Sequence, residues 1–286
     1  MAFFLKLSIS LTSLLGILYL SACGFLYFRQ TRMLFLPSTE IEVTPTDFDL
    51  AYEEVWLPVA KGERMHGWWI PANGSETGTL LYLHGNGINI GANVEHANRY
   101  HQLGFSVLLM DYRGYGRSEG EFPNEVRVYQ DARRMWEYLT QERQIPADRI
   151  FVYGHSLGGA IAIELMQTYP DAAGLIVESS FTSVRNAVER TTSFGIFPID
   201  LLLTQRFESI DKVASLQLPV LFIHGTSDSR IPSDMSELLY AATPEPKQLY
   251  LVPGADHNNV AEIAGSEYFR VVGQFIQQAT ILSLKP

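Results

Sequence analysis

One cysteine, Cys23, stands in a chain of 286 residues. No intramolecular disulfide is possible, and no thiolate cluster can hold a metal. Positive charge is scarce as well: 21 Lys and Arg face 31 Asp and Glu, for a formal net charge of −10. So acidic a chain lacks the basic stripe with which proteins hold a phosphate backbone, so no nucleic-acid partner is expected. No stretch repeats at a fixed period and none is of low complexity, which excludes solenoids and disordered linkers of that kind. Between Lys6 and Arg29 there is no charge at all.

That uncharged stretch, Leu7 to Phe28, is almost wholly apolar and long enough to cross a bilayer as a helix. Its residues are apolar at every angle around the helix, which disfavours a core helix with one wet face. We read it as an uncleaved, single-pass N-terminal anchor. The alternatives are a secretory signal peptide with Lys6 as its charged start, or lipoprotein processing at Leu20-Ser21-Ala22-Cys23. Gly24 to Phe28 continues the apolar run past the cysteine, where a processed lipoprotein would carry a polar tether. Arg29 to Asp49, with Pro37 and Pro45, reads as a connector.

After the connector, Glu53–Pro58 and Glu63–Pro71 read as a hairpin turning at Ala60-Lys61-Gly62. From Thr79 the pattern becomes strand, helix, strand. Apolar runs at Thr79–Leu83, Phe105–Met110, Ile150–Tyr153, Gly174–Glu178, Leu218–His224 and Gln248–Val252 alternate with helical patterns at Asn89–Leu103, Asn124–Arg143, Ser156–Tyr169 and Asn258–Ile281. Such alternation is the signature of an α/β fold with a parallel sheet. Phe181 to Gln217 interrupts it and reads as an inserted cap.

Gly154-His155-Ser156-Leu157-Gly158 joins one of these strands to its helix. In a G-x-S-x-G turn the glycines let backbone pack closely, so the serine hydroxyl projects above the sheet. The Leu157 amide, opening the helix, would face a developing oxyanion. A serine hydroxyl is a poor nucleophile at neutral pH and needs a base, itself oriented by a carboxylate. Asp228 follows the strand ending at His224, and His257 follows the strand ending at Val252. All three residues fall at the carboxyl edge of a parallel sheet, where such sheets build sites. Glu178, ending the strand after the serine helix, is the alternative acid. His224 reads as support for the Asp228 loop, Asp256 as a local turn residue, Asp234 as a helix cap and His66 as a strand histidine beside aromatics. His84-Gly85-Asn86-Gly87 follows an earlier strand, and Gly85 allows a tight turn that aims the Asn86 amide as the second oxyanion donor. Asp111 and Arg113, in the loop after another strand, read as residues that hold that loop, with substrate contact by Arg113 or Tyr115 as the alternative.

Together with Asp111-Tyr112-Arg113-Gly114-Tyr115-Gly116-Arg117-Ser118 and Ser179-Ser180-Phe181-Thr182-Ser183, these motifs resemble the alpha/beta-hydrolase superfamily. More narrowly, they resemble its membrane-anchored branch, which includes the fungal cell-polarity hydrolase and, more distantly, protein depalmitoylases. The resemblance runs from about Arg29 to the C-terminus. It implies an alpha/beta-hydrolase fold with a mostly parallel eight-stranded sheet flanked by helices. It also implies Ser156 as nucleophile, His257 as base, Asp228 as acid, and the Asn86 and Leu157 amides as oxyanion hole. The organisation expected is residues 1–28 as anchor or signal segment and 29–286 as hydrolase domain, with the cap at about 181–217. The activity expected is that of a serine hydrolase on an ester or thioester with an acyl or lipid-like chain. A peptidase or amidase of the same fold, or a catalytically silent membrane scaffold, are the alternatives. No metal or organic cofactor is implied.

Overall fold

The apolar runs become strands because each can bury both faces. In the computed structural model, which describes residues 1–59 and 62–283, eight strands form one sheet. They are β1 Glu53–Pro58, β2 Arg64–Ile70, β3 Gly78–Leu83, β4 Phe105–Met110, β5 Ile150–His155, β6 Gly174–Glu178, β7 Val220–Gly225 and β8 Lys247–Val252. Their spatial order is β1-β2-β4-β3-β5-β6-β7-β8. The β1–β2 and β2–β4 pairs are antiparallel and the other five are parallel. Residues 60 and 61 of the expected β1–β2 turn lie outside the described residues.

Side chains alternate between two layers. Leu81, Val152, Val177 and Phe222 face one side, while Leu80, Tyr82, Phe151, Ile176 and Leu221 face the other. Each fully buried aliphatic or aromatic side chain contributes roughly 1.5–3 kcal/mol relative to exposure. The helices are α1 Ala2–Leu34, α2 Val94–Gln102, α3 Glu125–Glu137, α4 Leu157–Thr168, α5 Val184–Thr191, α6 Ile199–Leu202, α7 Ser209–Val213, α8 Asp234–Ala242, α9 Val260–Ala264 and α10 Ser266–Ser283; α3, α4 and α8 pack on one face of the sheet and α2, α9 and α10 on the other. The parallel strands point their carboxyl ends to one edge, and β3, β5, β6, β7 and β8 each release a site loop there.

Three local expectations change. The helix α1 runs six residues past Phe28 to Leu34, because no Gly or Pro interrupts the chain before Pro37. The C-terminal helical run is two helices, broken where Gly265 takes a left-handed φ of 57°. Asp234 opens α8 from inside its first turn, while Ser233 occupies the capping position without a side-chain bond.

The first helix has two parts. Every described side chain from Phe3 to Leu20 is exposed. Beyond that, Cys23, Leu26, Gln30 and Leu34, spaced three or four apart, form one stripe that is buried or half-buried. Tyr19 begins the stripe: it stacks on Phe197 with ring centroids 5.5 Å apart, and its hydroxyl donates to the Ile196 carbonyl at 3.0 Å. Gln30 donates to the Leu202 carbonyl at 2.8 Å and accepts from the Thr204 amide at 2.7 Å. One face of this all-apolar helix thus docks on the segment between β6 and β7, a contact that hydropathy alone does not encode.

Candidate active site

Ser156 sits between β5 and α4 with φ 55° and ψ −119°, a backbone conformation that L residues rarely adopt. Holding a non-glycine residue there costs about 1–3 kcal/mol and lifts its side chain clear of the sheet. The neighbouring glycines leave the turn no alternative. A Cβ on Gly158 would stand 2.0 Å from the Leu83 carbonyl oxygen, and one on Gly154 would stand 2.3 Å from that of Gly158. The turn is held by the Ser156 amide donating to the Glu178 carbonyl at 2.9 Å and the Ser180 hydroxyl donating to the Ser156 carbonyl at 2.9 Å.

The loops after β7 and β8 bring Asp228 and His257 to this serine. Ser156 Oγ lies 3.1 Å from His257 Nε2, and His257 Nδ1 lies 2.7 Å from Asp228 Oδ2. The carboxylate accepts the Nδ1 proton, which leaves Nε2 free to accept the serine's. Ser156, His257 and Asp228 are all at least nine-tenths buried, so these bonds are shielded from bulk water.

Asp228 accepts four hydrogen bonds. Its Oδ1 takes the Arg230 and Ile231 amides at 2.9 and 2.8 Å, and its Oδ2 takes His224 Nε2 at 3.1 Å as well as His257. Burial opposes its ionisation, but the bonds from His224 and His257 outweigh that and hold the carboxyl well below the usual range. His224 Nε2 also faces the Ile231 carbonyl at 2.9 Å, and Nδ1 meets the Ser236 hydroxyl at 2.7 Å. With acceptors on one side and a hydroxyl on the other, Nε2 carries the proton. The supporting role read for His224 thus acquires a specific form: a second donor to the Asp228 oxygen that holds His257.

Glu178 is placed elsewhere. Its carboxylate, at the buried end of β6, accepts from the Tyr268 hydroxyl at 2.7 Å, and Tyr268 in turn meets the Tyr100 hydroxyl at 3.1 Å. Burial pushes the Glu178 carboxyl up, against the Tyr268 bond. It touches the site through its backbone carbonyl, under Ser156. Asp256 is a turn residue as expected, accepting the Ser229 and His257 amides at 2.9 and 2.8 Å.

The loop His84–Gly87 lies against the serine turn: a Cβ on Gly85 would sit 3.5 Å from Ser156 Cβ, an ordinary contact. Gly85 has neither a positive φ nor a crowded Cβ, so the turn does not need its conformational freedom. Bonds from other elements hold the loop instead. Tyr112 and Tyr115 hydroxyls donate to the His84 and Asn86 carbonyls at 3.1 and 2.7 Å, the Leu36 amide donates to Asn86 at 2.9 Å, and the Asn86 side chain donates to the Leu34 carbonyl at 2.8 Å. Among the described residues, neither the Asn86 nor the Leu157 amide has a protein acceptor.

Burial dominates two groups near this loop. Burial pulls the His84 imidazole down to about 4 and pushes the Asp111 carboxyl well above its ordinary value. His84 Nδ1 donates to the Gly85 carbonyl at 2.8 Å, and Nε2 lies 3.4 Å from Asp111 Oδ1. Asp111 also accepts the Ile90 amide at 2.9 Å, and Arg113 is paired with Asp131 at 2.6 Å, the loop-holding roles expected of them.

Sequence reasoning did not single out His155 or Tyr112, and it weighed Tyr115 only as a substrate contact. His155 Nε2 donates to the His257 carbonyl at 3.1 Å, with the two rings 5.1 Å apart. Burial and the nearby His257 depress its pKa well below the ordinary value, so it adds no charge beside His257. Its place inside G-x-S-x-G was the one available signal.

Between α1 and the segment from Val184 to Gln205 lies an open cleft of about 240 Å³. Its lining contains no charged side chain among the described residues.

Comparison with known proteins agrees with this architecture. The family model described as serine aminopeptidase, S33, matches residues 74–210. An uncharacterized protein of Mycobacterium tuberculosis is 34% identical over 90% of this chain and 91% of its own. The bem46 protein of Schizosaccharomyces pombe is 31% identical over 92% of this chain and 90% of its own. The alpha/beta hydrolase domain-containing protein WAV2 of Arabidopsis thaliana is 28% identical over 87% and 88%. The chain belongs to the alpha/beta-hydrolase superfamily. An esterase of Pyrococcus furiosus superposes with a TM-score of 0.69 at 20% identity, covering 86% of this chain and 99% of the esterase, which shows the shared fold. Membership makes the chain a hydrolase of the α/β type with a small-molecule substrate.

Proposed function

We propose that the chain is a serine hydrolase that cleaves a carboxylic ester or thioester through an acyl-enzyme on Ser156. The observation that carries this reading is the Ser156–His257–Asp228 hydrogen-bond chain of 3.1 and 2.7 Å on a serine held at φ 55°. As Ser156 Oγ bonds to the carbonyl carbon, its proton passes to His257 Nε2. Asp228 stabilises the imidazolium, and the Asn86 and Leu157 amides receive the oxyanion. Collapse breaks the carbon–oxygen or carbon–sulfur bond, and His257 returns the proton to the leaving group. Water, deprotonated by His257, then attacks the acyl-enzyme, which releases the acid and restores Ser156. Incubation with a fluorophosphonate tests the nucleophile. Wild-type protein should take one covalent label, at Ser156, and Ser156→Ala none. Folded wild type that stays unlabelled would refute the reading.

The family model's description favours a second reading, peptide-bond cleavage by an aminopeptidase. Such an enzyme needs a carboxylate to hold the substrate's terminal ammonium, and the cleft between α1 and residues 184–205 has no charged lining among the described residues. An acyl chain suits it better.

We also propose that residues 1–28 anchor the protein in a membrane and that residues 29–286 form the hydrolase domain, with residues 181–217 as its cap. The exposed stretch Phe3 to Leu20 comprises 18 residues, about 27 Å at 1.5 Å per residue, against a hydrocarbon core of about 30 Å. Helix α1 continues unbroken through Cys23, and its last turns are bonded to the cap, which favours retention over cleavage there. Full-length protein should stay with vesicles through alkaline carbonate extraction, and a chain lacking Leu7–Phe28 should not. Full-length protein in the supernatant would defeat the anchor.

A further inference from the structure

The docked end of α1 forms one wall of the cleft it shares with the segment from Val184 to Gln205. Leu26, Met33 and Leu34 line one side, and Val188, Phe197 and Leu203 are among the residues opposite. The three polar side chains of the lining are already paired. Gln30 bonds to Leu202 and Thr204, Gln205 bonds to Glu125 and Thr204, and the Thr192 hydroxyl donates to the Val188 carbonyl at 2.7 Å. A ligand in this cavity therefore finds apolar surface and few free hydrogen-bonding groups. That suits a hydrocarbon chain and excludes a headgroup.

Both walls are tied to the loops around the serine. On one side, the carbonyl of Leu34, a lining residue, accepts the Asn86 side chain at 2.8 Å, and the Asn86 amide is the oxyanion donor proposed above. On the other, Val184 follows the segment in which the Ser180 hydroxyl bonds the Ser156 carbonyl. The outer end is marked by Tyr19, stacked on Phe197 where the freely exposed part of α1 gives way to the docked part. A tyrosine at that depth fits the interfacial belt of a membrane helix. Nearby on the cap, Ile196 and Leu201 are 73% and 81% exposed, apolar surface that a bilayer would cover.

We propose that this cleft is the acyl-chain site, and that it takes the single long chain of a membrane-resident ester or thioester, which enters sideways from the bilayer along α1. On this view α1 is part of the substrate site as well as a tether. The proposal rests on Ser156 being the nucleophile and deepens that reading by naming the substrate class.

The test uses the full chain in phosphatidylcholine vesicles and a long-chain alkyl fluorophosphonate carrying a diazirine at the chain's end. Intact mass before irradiation reports phosphonylation of Ser156, and peptide mapping after irradiation reports where the tail lies. Cross-links from Ser156-bound probe to residues 26–34 of α1 and to residues 184–203 are expected. A Ser156 adduct whose tail cross-links only elsewhere overturns the chain site and leaves the nucleophile standing. Absence of any Ser156 adduct overturns the nucleophile, and the chain site with it. A second measurement compares turnover of long- and short-chain esters. Filling the cleft with Met33→Trp or Val188→Trp should lower the long-to-short ratio by on the order of tenfold or more, while Ile9→Trp, in the freely exposed stretch, should leave it unchanged. An unaltered ratio in both filled variants also overturns the proposal.

Discussion

Ser156→Ala, His257→Ala and the double variant are each expected to lower kcat for ester hydrolysis by about a millionfold, nearly the same loss three times. A millionfold corresponds to about 8 kcal/mol of lost transition-state stabilisation. The equality follows from the geometry. The Ser156 proton has one acceptor, His257 Nε2 at 3.1 Å, and His257 has no other hydroxyl to activate in the described site. Removing either leaves the other without a task, so the second removal costs little. Residual turnover of about 10³–10⁴ over water would come from substrate binding and the oxyanion amides. The measurement is kcat for a chromogenic ester with each purified variant, after circular dichroism confirms the fold. Additive losses, or a single loss below about a hundredfold, would remove Ser156 and His257 from a shared chemical step.

Asp228→Asn is expected to lower kcat by about 10⁴, while Glu178→Gln should cost less than about tenfold. Asp228 Oδ2 receives the His257 Nδ1 proton at 2.7 Å and so presents Nε2 to the serine as an acceptor. An asparagine amide can donate to Nδ1 instead, which moves the ring proton to Nε2 and blocks attack. It also forfeits the negative charge that stabilises the imidazolium. The Arg230 and Ile231 amides need an acceptor at Oδ1 and so turn the asparagine NH2 toward His257, against the preference of the His224 Nε2 proton for an acceptor at Oδ2. Glu178→Gln keeps an acceptor for Tyr268 and leaves intact the backbone carbonyl that holds the Ser156 amide. A large loss on Glu178→Gln with a small one on Asp228→Asn would transfer the acid to Glu178.

Much of the framework was legible because it is local. Apolar runs of strand length between helical patterns imply a parallel sheet, and all eight strands lie within a few residues of their expected bounds. G-x-S-x-G is legible for a steric reason: Gly154 and Gly158 stand where a Cβ would meet backbone at 2.3 and 2.0 Å. Gly85 looked similar in sequence but carries no such constraint. A loop glycine shows only that freedom is available, and neighbouring backbone decides whether it is used. The break at Gly265 escaped notice because the apolar pattern continues across it.

The residues that position the site were harder to read, because each acts across the fold. His155 supports His257 from 102 positions away, and Tyr115 holds Asn86 from 29. Their side chains suit a buried core equally well, so composition cannot separate the roles. Arg29 to Leu34 read as connector because Arg29, Gln30 and Arg32 break the apolar run. Helix propensity carried the chain through them, and Gln30 found two partners on the cap.

The sequence by itself determined the fold class, the strained serine turn, the order serine–acid–histidine and an apolar N-terminal helix of membrane-spanning length. These follow from periodicity, glycine sterics and the chain order of loops at one sheet edge, all written in neighbouring residues. Only the tertiary structure decided which carboxylate meets His257, how His224 shares it, and that one stripe of the N-terminal helix closes a cavity against the cap. The first and last depend on distances between residues about thirty to 180 positions apart, and the second on His257 reaching the carboxylate that His224 already holds, so all exist only once the sheet has brought the loops together.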